Sequence, residues 1–203
     1  MTDPQPGDLS KVPYAEPIWL SPMFKSPYFT DSHRKMQRAL REFVETHIKP
    51  EAEQKEADGT YISQELIDKM AEVHLIAMRI GPGKHLHGKT LLGGVKGEDF
   101  DYFHDLLTAQ ELARANSRGF QDGNLSGLMI SLTAVRQWLH NQELREQVTE
   151  ECLSGRKKMV LAITEAFAGS DVAGIKTTAD VTEDGEHYII NGKSDHDLIL
   201  KLL

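Results

Sequence analysis

The chain lacks features that would place it in several common classes of protein. Its 203 residues contain one cysteine, Cys152, which excludes an internal disulfide framework and indicates a reducing compartment. No apolar run is long enough to span a bilayer, so no membrane span is expected. The formal net charge is -8 and no segment offers an extended lysine and arginine face, which disfavours a nucleic-acid or anionic-membrane partner. What remains is an ordinary globular composition.

Most of the prolines lie in residues 1–30, which therefore predict an extended arm over the surface and not a helix. No arginine precedes Arg34, and the segment fits neither a secretory signal nor a mitochondrial transit peptide. The expected localisation is cytoplasmic or peroxisomal. The final residues, Lys201-Leu202-Leu203, only faintly resemble a peroxisomal address and are given no weight.

Residues 31–158 show helical periodicity and predict an all-helical domain of the bundle type. Asp31 or Ser32 is predicted to cap the first helix, which is predicted to stop at Pro50. A second helix is predicted to begin after Ser63, with an apolar stretch and a Gly/Pro break behind it.

Three further predictions concern the later helices of this domain. Asp99 is predicted to cap a helix that carries the apolar residues of 100–112. The helix over residues 125–139 is the most apolar in the chain and is predicted to be central and largely buried. Cys152 falls on a helical pattern over 141–154, where a small buried hydrophobe is its expected role.

The period changes at Met159, where a β domain is predicted to begin. Residues 159–163 read as a buried strand, and residues 176–182 and 187–191 as two strands of a hairpin turning at Asp184-Gly185. The fold class expected is therefore α+β. The domain boundaries are residues 31–158 for the helical part, 159–193 for the start of the β part and 194–203 for a divergent tail.

A turn of small, hydroxylated and acidic residues follows the first predicted strand. It contains Thr164-Glu165 and then Ala168-Gly169-Ser170-Asp171, a corner without bulky side chains. A phosphate or pyrophosphate could approach main-chain N–H donors closely there. Glu165 is predicted to hold a turn amide.

These residues carry a family resemblance. The run Leu161-Ala162-Ile163-Thr164-Glu165, the corner 168–171, Gly174 and Thr177 together resemble the flavin-binding signature of the acyl-CoA dehydrogenases. Ala166 departs from it, because the family usually has proline there. Residues 141–155 and 100–115 resemble two helices of the family, the likeness covers most of 31–193, and the 81–100 connection most resembles fungal members.

The resemblance implies an FAD-dependent enzyme that removes hydrogen from the α and β carbons of an acyl-CoA thioester. Leu161, Ile163 and Thr164 would offer main-chain and hydroxyl hydrogen bonds to the polar edge of the flavin ring. Gly169 and Ser170 would contact the FAD pyrophosphate, and Ser170 also the thioester end of the substrate. The pathway would be fungal secondary metabolism, such as toxin formation, or fatty-acid β-oxidation. The electron acceptor stays open between an electron-transfer flavoprotein and oxygen.

The likeness stops after Asn191-Gly192-Lys193, where the family continues Trp-Ile-Thr and this chain reads Ser194-Asp195-His196. The resemblance therefore implies that the family's C-terminal helical domain, with its glutamate base and homo-oligomer contacts, is missing from this sequence. The β-barrel-like middle domain is expected to be incomplete, and no residue is assigned the catalytic role. The alternative is an inactive remnant that serves as a binding or interaction protein.

Residues 83–90 (GKHLHGKT) match the phosphate-binding loop of nucleotide hydrolases letter for letter. That loop requires a strand before it and a helix N-terminus after it. Leu91-Leu92-Gly93-Gly94 should not start a stable helix, so nucleotide binding is only a remote alternative.

The nine histidines do not predict a metal site. His85 and His87 alternate in a glycine-rich loop, and His196 lies between two aspartates, but neither group has the convergent partners that zinc requires. His74 and His104 are expected at the rims of helices, and Glu111 is expected to be structural.

Overall fold

The computed structural model describes residues 26–192, except for the side chains of residues 124–126. The predictions for the arm before residue 26 and for the tail from residue 193, including His196, lie outside the described residues. The chain divides into a helical unit that ends at Met159 and a smaller unit that begins at Val160. None of the helices in the described part of the chain is long and apolar enough to cross a membrane.

One long helix opens the helical unit. It consists of α1 (Asp31–Phe43), a π-helical segment (Val44–Ile48) and α2 (Lys49–Asp58). The predicted cap was wrong: Thr30 is the N-cap residue, and its N–H donates to Nδ1 of His33 at 3.0 Å.

The predicted stop at Pro50 was also wrong. Pro50 has no N–H and its ring would crowd the carbonyl four residues back in a regular helix. The π-helical segment shifts the hydrogen bonding by one residue, so that the N–H of Lys49 reaches the carbonyl of Val44. The helix instead ends at Gly59, whose φ of 64° is the left-handed conformation that terminates helices.

The second helix, α3 (Gln64–Glu72), begins as predicted. The Ser63 side chain accepts the N–H of Leu66 at 3.1 Å, which is an ordinary N-cap. The short α4 (Leu75–Met78) follows, and all four of its residues are buried. Beyond it, β1 (Thr90–Leu91) pairs antiparallel with β2 (Val95–Lys96).

The surroundings of residues 83–90 are not those of a phosphate-binding loop. A 3-10 turn (Lys84–Leu86) lies inside the motif, and the motif ends in β1. The next segment (Leu92–Gly94) is another 3-10 turn, with Gly93 in the left-handed region. No α-helix therefore begins directly after the motif. The nucleotide-hydrolase alternative fails on this geometry.

The helix α5 (Tyr102–Ala113) is capped by Asp101, two residues after the predicted Asp99. The Asp101 carboxylate accepts the N–H groups of Phe103 and His104 at 2.9 and 3.0 Å. Buried residues of α1 and its continuation (Met36, Leu40, Val44 and Ile48) form one wall of the core, and α1 packs along α5.

The apolar helix consists of α6 (Arg118–Leu125), a π-helical segment (Ser126–Leu132) and α7 (Thr133–Trp138). Its predicted burial was only partly right. Leu132 is fully buried, but Ile130 and Trp138 are 52% and 69% exposed, because the other helices of the unit cover one face only. The last helix, α8 (Gln142–Leu153), is capped by Asn141 and buries Cys152 as predicted.

The smaller unit contains the predicted hairpin. β3 (Thr178–Val181) pairs antiparallel with β4 (Tyr188–Asn191), and Gly185 turns the chain at φ 73°. The predicted strand over 159–163 is not formed as a strand, and Val160 and Ile163 are 46% and 36% exposed. A strand needs a paired neighbour, and the hairpin does not extend to this segment. The α+β class, a helical domain followed by a small sheet, is confirmed.

Candidate functional site

The corner that follows residues 159–163 is a tight, closed turn. The N–H of Glu165 donates to the carbonyl of Ala168 at 3.0 Å, and the N–H of Ala168 donates back to Glu165 at 3.2 Å. Ala168 is buried beneath the turn, while Phe167 at its tip is 81% exposed. The two hydrogen bonds bring Thr164-Glu165 next to the Gly169-Ser170 pair.

The Glu165 carboxylate fixes the return path of the chain. It accepts the N–H groups of Lys176 and Thr177 at 2.8 and 2.9 Å, and also the Thr177 hydroxyl. The hydrogen bond from that hydroxyl, followed by the one from the Lys176 N–H, lowers the pKa of Glu165 below its ordinary value. The prediction that Glu165 holds a turn amide is confirmed.

The predicted site residues surround this corner. Leu161 and Thr164 are half-buried, whereas Ile163, Gly169 and Ser170 are exposed. A Cβ atom built on Gly169 would meet nothing within 4 Å. Within residues 26–192 no acceptor takes the main-chain N–H of Gly169 or Ser170, and both residues are exposed.

The helical unit contains a cavity of about 420 Å³ that no sequence pattern predicted. Its walls are mostly apolar and come from helices far apart in the sequence (Ile67, Ile76, Phe120, Leu128 and Cys152). Lys55, Lys157 and Lys158 lie at its edge, and the Lys158 ammonium stands 4.8 Å from the centre of the Tyr61 ring. Such a shape suits an apolar chain that ends in a polar or anionic group.

The family of the chain is decided by its helical unit. Residues 30–156 match the family model for the N-terminal domain of acyl-CoA dehydrogenases. The chain belongs to the acyl-CoA dehydrogenase family. This confirms the family that the corner residues and the two helical segments suggested.

The individual relatives of this acyl-CoA dehydrogenase-family chain include two fungal proteins. It is 33% identical to acyl-CoA dehydrogenase apdG of Emericella nidulans, over 92% of this chain and 43% of that protein. It is 31% identical to acyl-CoA dehydrogenase AFT10-1 of Alternaria alternata, over 90% of this chain and 42% of that protein. The chain thus spans less than half the length of either relative.

Solved structures agree on the fold. The Bacillus anthracis acyl-CoA dehydrogenase complexed with FAD is 26% identical, superposes with a TM-score of 0.65, and is matched over 83% of this chain and 27% of that one. The superposition supports the same succession of a helical domain and the start of a β domain.

Two buried histidines form a polar cluster that sequence reasoning missed. His104 was predicted at a rim, but it is 1% exposed, and its ring stacks on that of His33 with centroids 3.7 Å apart. Because Nδ1 of His33 accepts the Thr30 N–H, its Nε2–H donates to Asp101 at 2.9 Å. Burial lowers the pKa of His104.

The cluster has the composition of a metal site, since ligand atoms of His33, Asp101 and His104 lie within 4.8 Å of one another. However, each of these three side chains already takes part in the N-terminal cap of a helix. The Asp101 N–H donates to Nδ1 of His104 at 3.2 Å, and Nε2 of His104 lies 3.2 Å from the Ser32 hydroxyl. The cluster is therefore two N-terminal capping boxes, of α1 and α5, that share one carboxylate.

Glu111 is structural, as predicted. It is fully buried and accepts hydrogen bonds from Gln37 at 2.8 Å and from Arg41 at 2.8 and 3.0 Å. Arg114 adds an ion pair at 3.6 Å. These partners all lie within the helical unit, so Glu111 joins α1 to α5.

Proposed function

We propose that the chain forms part of an FAD-dependent enzyme that dehydrogenates an acyl-CoA thioester between its α and β carbons. The observation that carries the proposal is the corner at residues 164–170, where a closed turn ends in two exposed residues, Gly169 and Ser170, whose N–H groups have no acceptor within residues 26–192. Bound FAD would supply the hydride acceptor.

The donor set of the corner fits a dinucleotide flavin. The free N–H groups of Gly169 and Ser170 suit an oxygen of the pyrophosphate, and the missing Cβ at Gly169 allows close approach. Main-chain groups of Leu161 and Ile163 and the Thr164 hydroxyl would hold the polar edge of the ring. Such fixed dipoles stabilise the negative charge that a reduced flavin carries. Ser170 would also contact the thioester end of the substrate.

The cavity of the helical unit supports an acyl substrate. Its walls of Ile67, Ile76, Phe120 and Leu128 would exclude water from an alkyl or alkenyl chain. Two fungal relatives favour a fungal acyl substrate, in secondary metabolism or in β-oxidation. No residue of this chain is proposed as the base that takes the α proton.

The test is flavin retention by the purified 203-residue chain. After incubation with FAD and removal of free flavin, the visible spectrum should show flavin bands in stoichiometric amount. Gly169→Asp should abolish them, because it places a carboxylate where the pyrophosphate would lie. Ala179→Asp, on exposed β3 of the same unit, is the matched control and should retain flavin.

Addition of an acyl-CoA then separates the alternatives. Bleaching of the bands would show that this chain alone contains a competent base. Retained flavin without bleaching would support a flavin-binding part that needs a base from elsewhere. A chain with an intact helical circular dichroism spectrum and no flavin would contradict the proposal and favour a non-enzymatic binding protein.

A further inference from the structure

The helical unit carries a second groove, of about 1000 Å³, that the proposed function does not use. It lies between the loop around Lys84 and Lys89 on one side and α7 and α8 on the other. Lys89, the lysine of the phosphate-binding-loop pattern in residues 83–90, thus lines a groove of the helical unit, although the helix that such a loop needs is not there.

The groove is cationic in a chain whose net charge is -8. Four cations line it, namely Lys84, Lys89, Arg136 and Arg145, against two carboxylates. Both carboxylates are engaged by neighbours on or next to their own helix. Glu150 pairs with Arg156 at 3.0 Å and Glu146 accepts from Gln142 at 2.8 Å. Arg156 neutralises Glu150 and Glu146 keeps its charge, so the four cations leave the lining of the groove with a net positive charge.

Arg136 is the anchor of this groove. Its guanidinium is half-buried and forms no ion pair with any residue in the described part of the chain, and burial lowers its pKa. Nη2 of Arg136 lies 3.3 Å from Nδ1 of His85, whose Nε2–H donates to the carbonyl of Ala77 at 3.0 Å. His85 thus accepts from Arg136 and fixes its orientation. A half-buried, oriented guanidinium without a carboxylate is a strong site for an oxyanion.

We propose that this groove binds a phosphate-bearing small molecule, with its phosphate oxygens on Arg136 and with Lys84 and Lys89 at their sides. The inference goes beyond the proposed function and is independent of it. The groove lies wholly within the helical unit, and none of its lining residues belongs to the flavin-signature corner. The size of the groove exceeds that of one phosphate and leaves room for a diphosphate ester.

The experiment is calorimetric titration of the whole chain with inorganic pyrophosphate at low and at high salt. One ligand per chain is expected, with affinity that falls as salt rises. Arg136→Met should weaken binding at least about tenfold, because it removes a charge-assisted hydrogen bond from a partly desolvated site. Arg118→Met is the control, since Arg118 is 77% exposed and pairs with Asp122 outside the groove.

Two more variants keep the outcome interpretable. The double variant Lys84→Ala/Lys89→Ala leaves the contact between Arg136 and His85 intact and should also weaken binding several-fold. It tests the groove even if Arg136→Met unfolds the chain. Pyrophosphate binding that survives Gly169→Asp places the ligand in the groove, whereas loss of binding in that variant would place it at the flavin corner and overturn the proposal. Tighter binding of ADP than of pyrophosphate would identify a nucleotide as the source of the phosphate, and equal binding a simple phosphate ester.

The proposal is overturned by a folded chain that does not bind pyrophosphate. It is equally overturned if Arg118→Met weakens binding as much as Arg136→Met, because binding would then reflect diffuse charge. A single-stranded RNA that binds without being displaced by pyrophosphate would also overturn it.

Discussion

Replacing Glu111 by glutamine should strongly destabilise the helical unit. Glu111 is 0% exposed, accepts a hydrogen bond from Gln37 of α1, and accepts two from Nε and Nη2 of Arg41. Glutamine keeps the shape of the side chain but removes its charge. Its NH₂ group is a donor and would face the N–H donors of Gln37 or Arg41. Arg41 then loses the buried carboxylate that its guanidinium contacts.

The size of the effect follows from burial. Breaking one side of a buried ion pair costs about 3–5 kcal/mol. The Arg41 side chain is 25% exposed and can recover some hydration, so the lower end, about 3 kcal/mol, is expected. Since a domain of this size is stable by roughly 5–15 kcal/mol, the loss is easily measured.

The assay is urea unfolding of the Glu111→Gln chain followed by far-ultraviolet circular dichroism, which reports mainly on the helical unit. Glu45→Gln is the matched control: Glu45 is 35% exposed and pairs with Lys49 and Arg114 at the surface. Glu45→Gln should lower the free energy of unfolding by less than about 1 kcal/mol. Equal losses for the two variants would refute the reasoning. Joint replacement by Glu111→Leu and Arg41→Met should recover much of the stability, because no buried charge remains unpaired.

Lowering the pH from about 7.5 to about 5.5 should destabilise the helical unit through His104, whose pKa burial lowers below 6.5. The unfolded chain binds a proton at His104 near the ordinary histidine pKa, and the folded chain binds it only at lower pH. The free energy of unfolding therefore falls as the pH drops below the ordinary pKa. His104→Gln should flatten the plot of the urea midpoint against pH. Gly97→Ala should cost about 2 kcal/mol or more in thermal melting, because its Cβ would lie 1.8 Å from the Leu86 carbonyl oxygen. The Cys152 thiol should react with a disulfide reagent only in urea, because it is 4% exposed and burial raises its pKa.

Each of these outcomes has a control. His187 is exposed on the hairpin, and His187→Gln should leave the pH profile of the helical unit unchanged. Gly123 lies in α6 with nothing within 4 Å of an added Cβ, so Gly123→Ala should stabilise by up to about 1 kcal/mol. If Gly97→Ala melted like Gly123→Ala, the crowding argument would be wrong. Fast labelling of Cys152 in native buffer would show that α8 opens readily.

Local chemistry made part of the fold predictable from sequence. Ser63 caps α3 with its own side chain, and Asp184-Gly185 turns the hairpin, because both features depend on a few consecutive residues. The role of Glu165 was predictable for the same reason, since it braces a turn only a dozen residues long. The apolar spacing of α8 likewise placed Cys152 inside.

Features that depend on distant residues were not predictable. Thr30, Asp31 and Ser32 are all good cap residues, and the choice of Thr30 is fixed by His33, which Asp101 holds from another helix. Pro50 could stay inside a helix only because the preceding segment becomes π-helical. The cavity and the groove are lined by elements up to about a hundred residues apart, and no local sequence pattern predicts them.

The polar contacts between α1 and α5 explain why these two helices pack in one register. His33 meets Asp101 at the start of both helices, and further along Gln37 and Arg41 meet Glu111, so the helices run in the same direction. Apolar side chains alone would tolerate a slide by one turn, about 5.4 Å, because the ridges of a helix repeat at that spacing. Such a slide would leave the buried Glu111 carboxylate and the buried His33 ring without partners, at a cost of several kcal/mol. We infer that apolar burial holds the helices together while the two polar networks select their register.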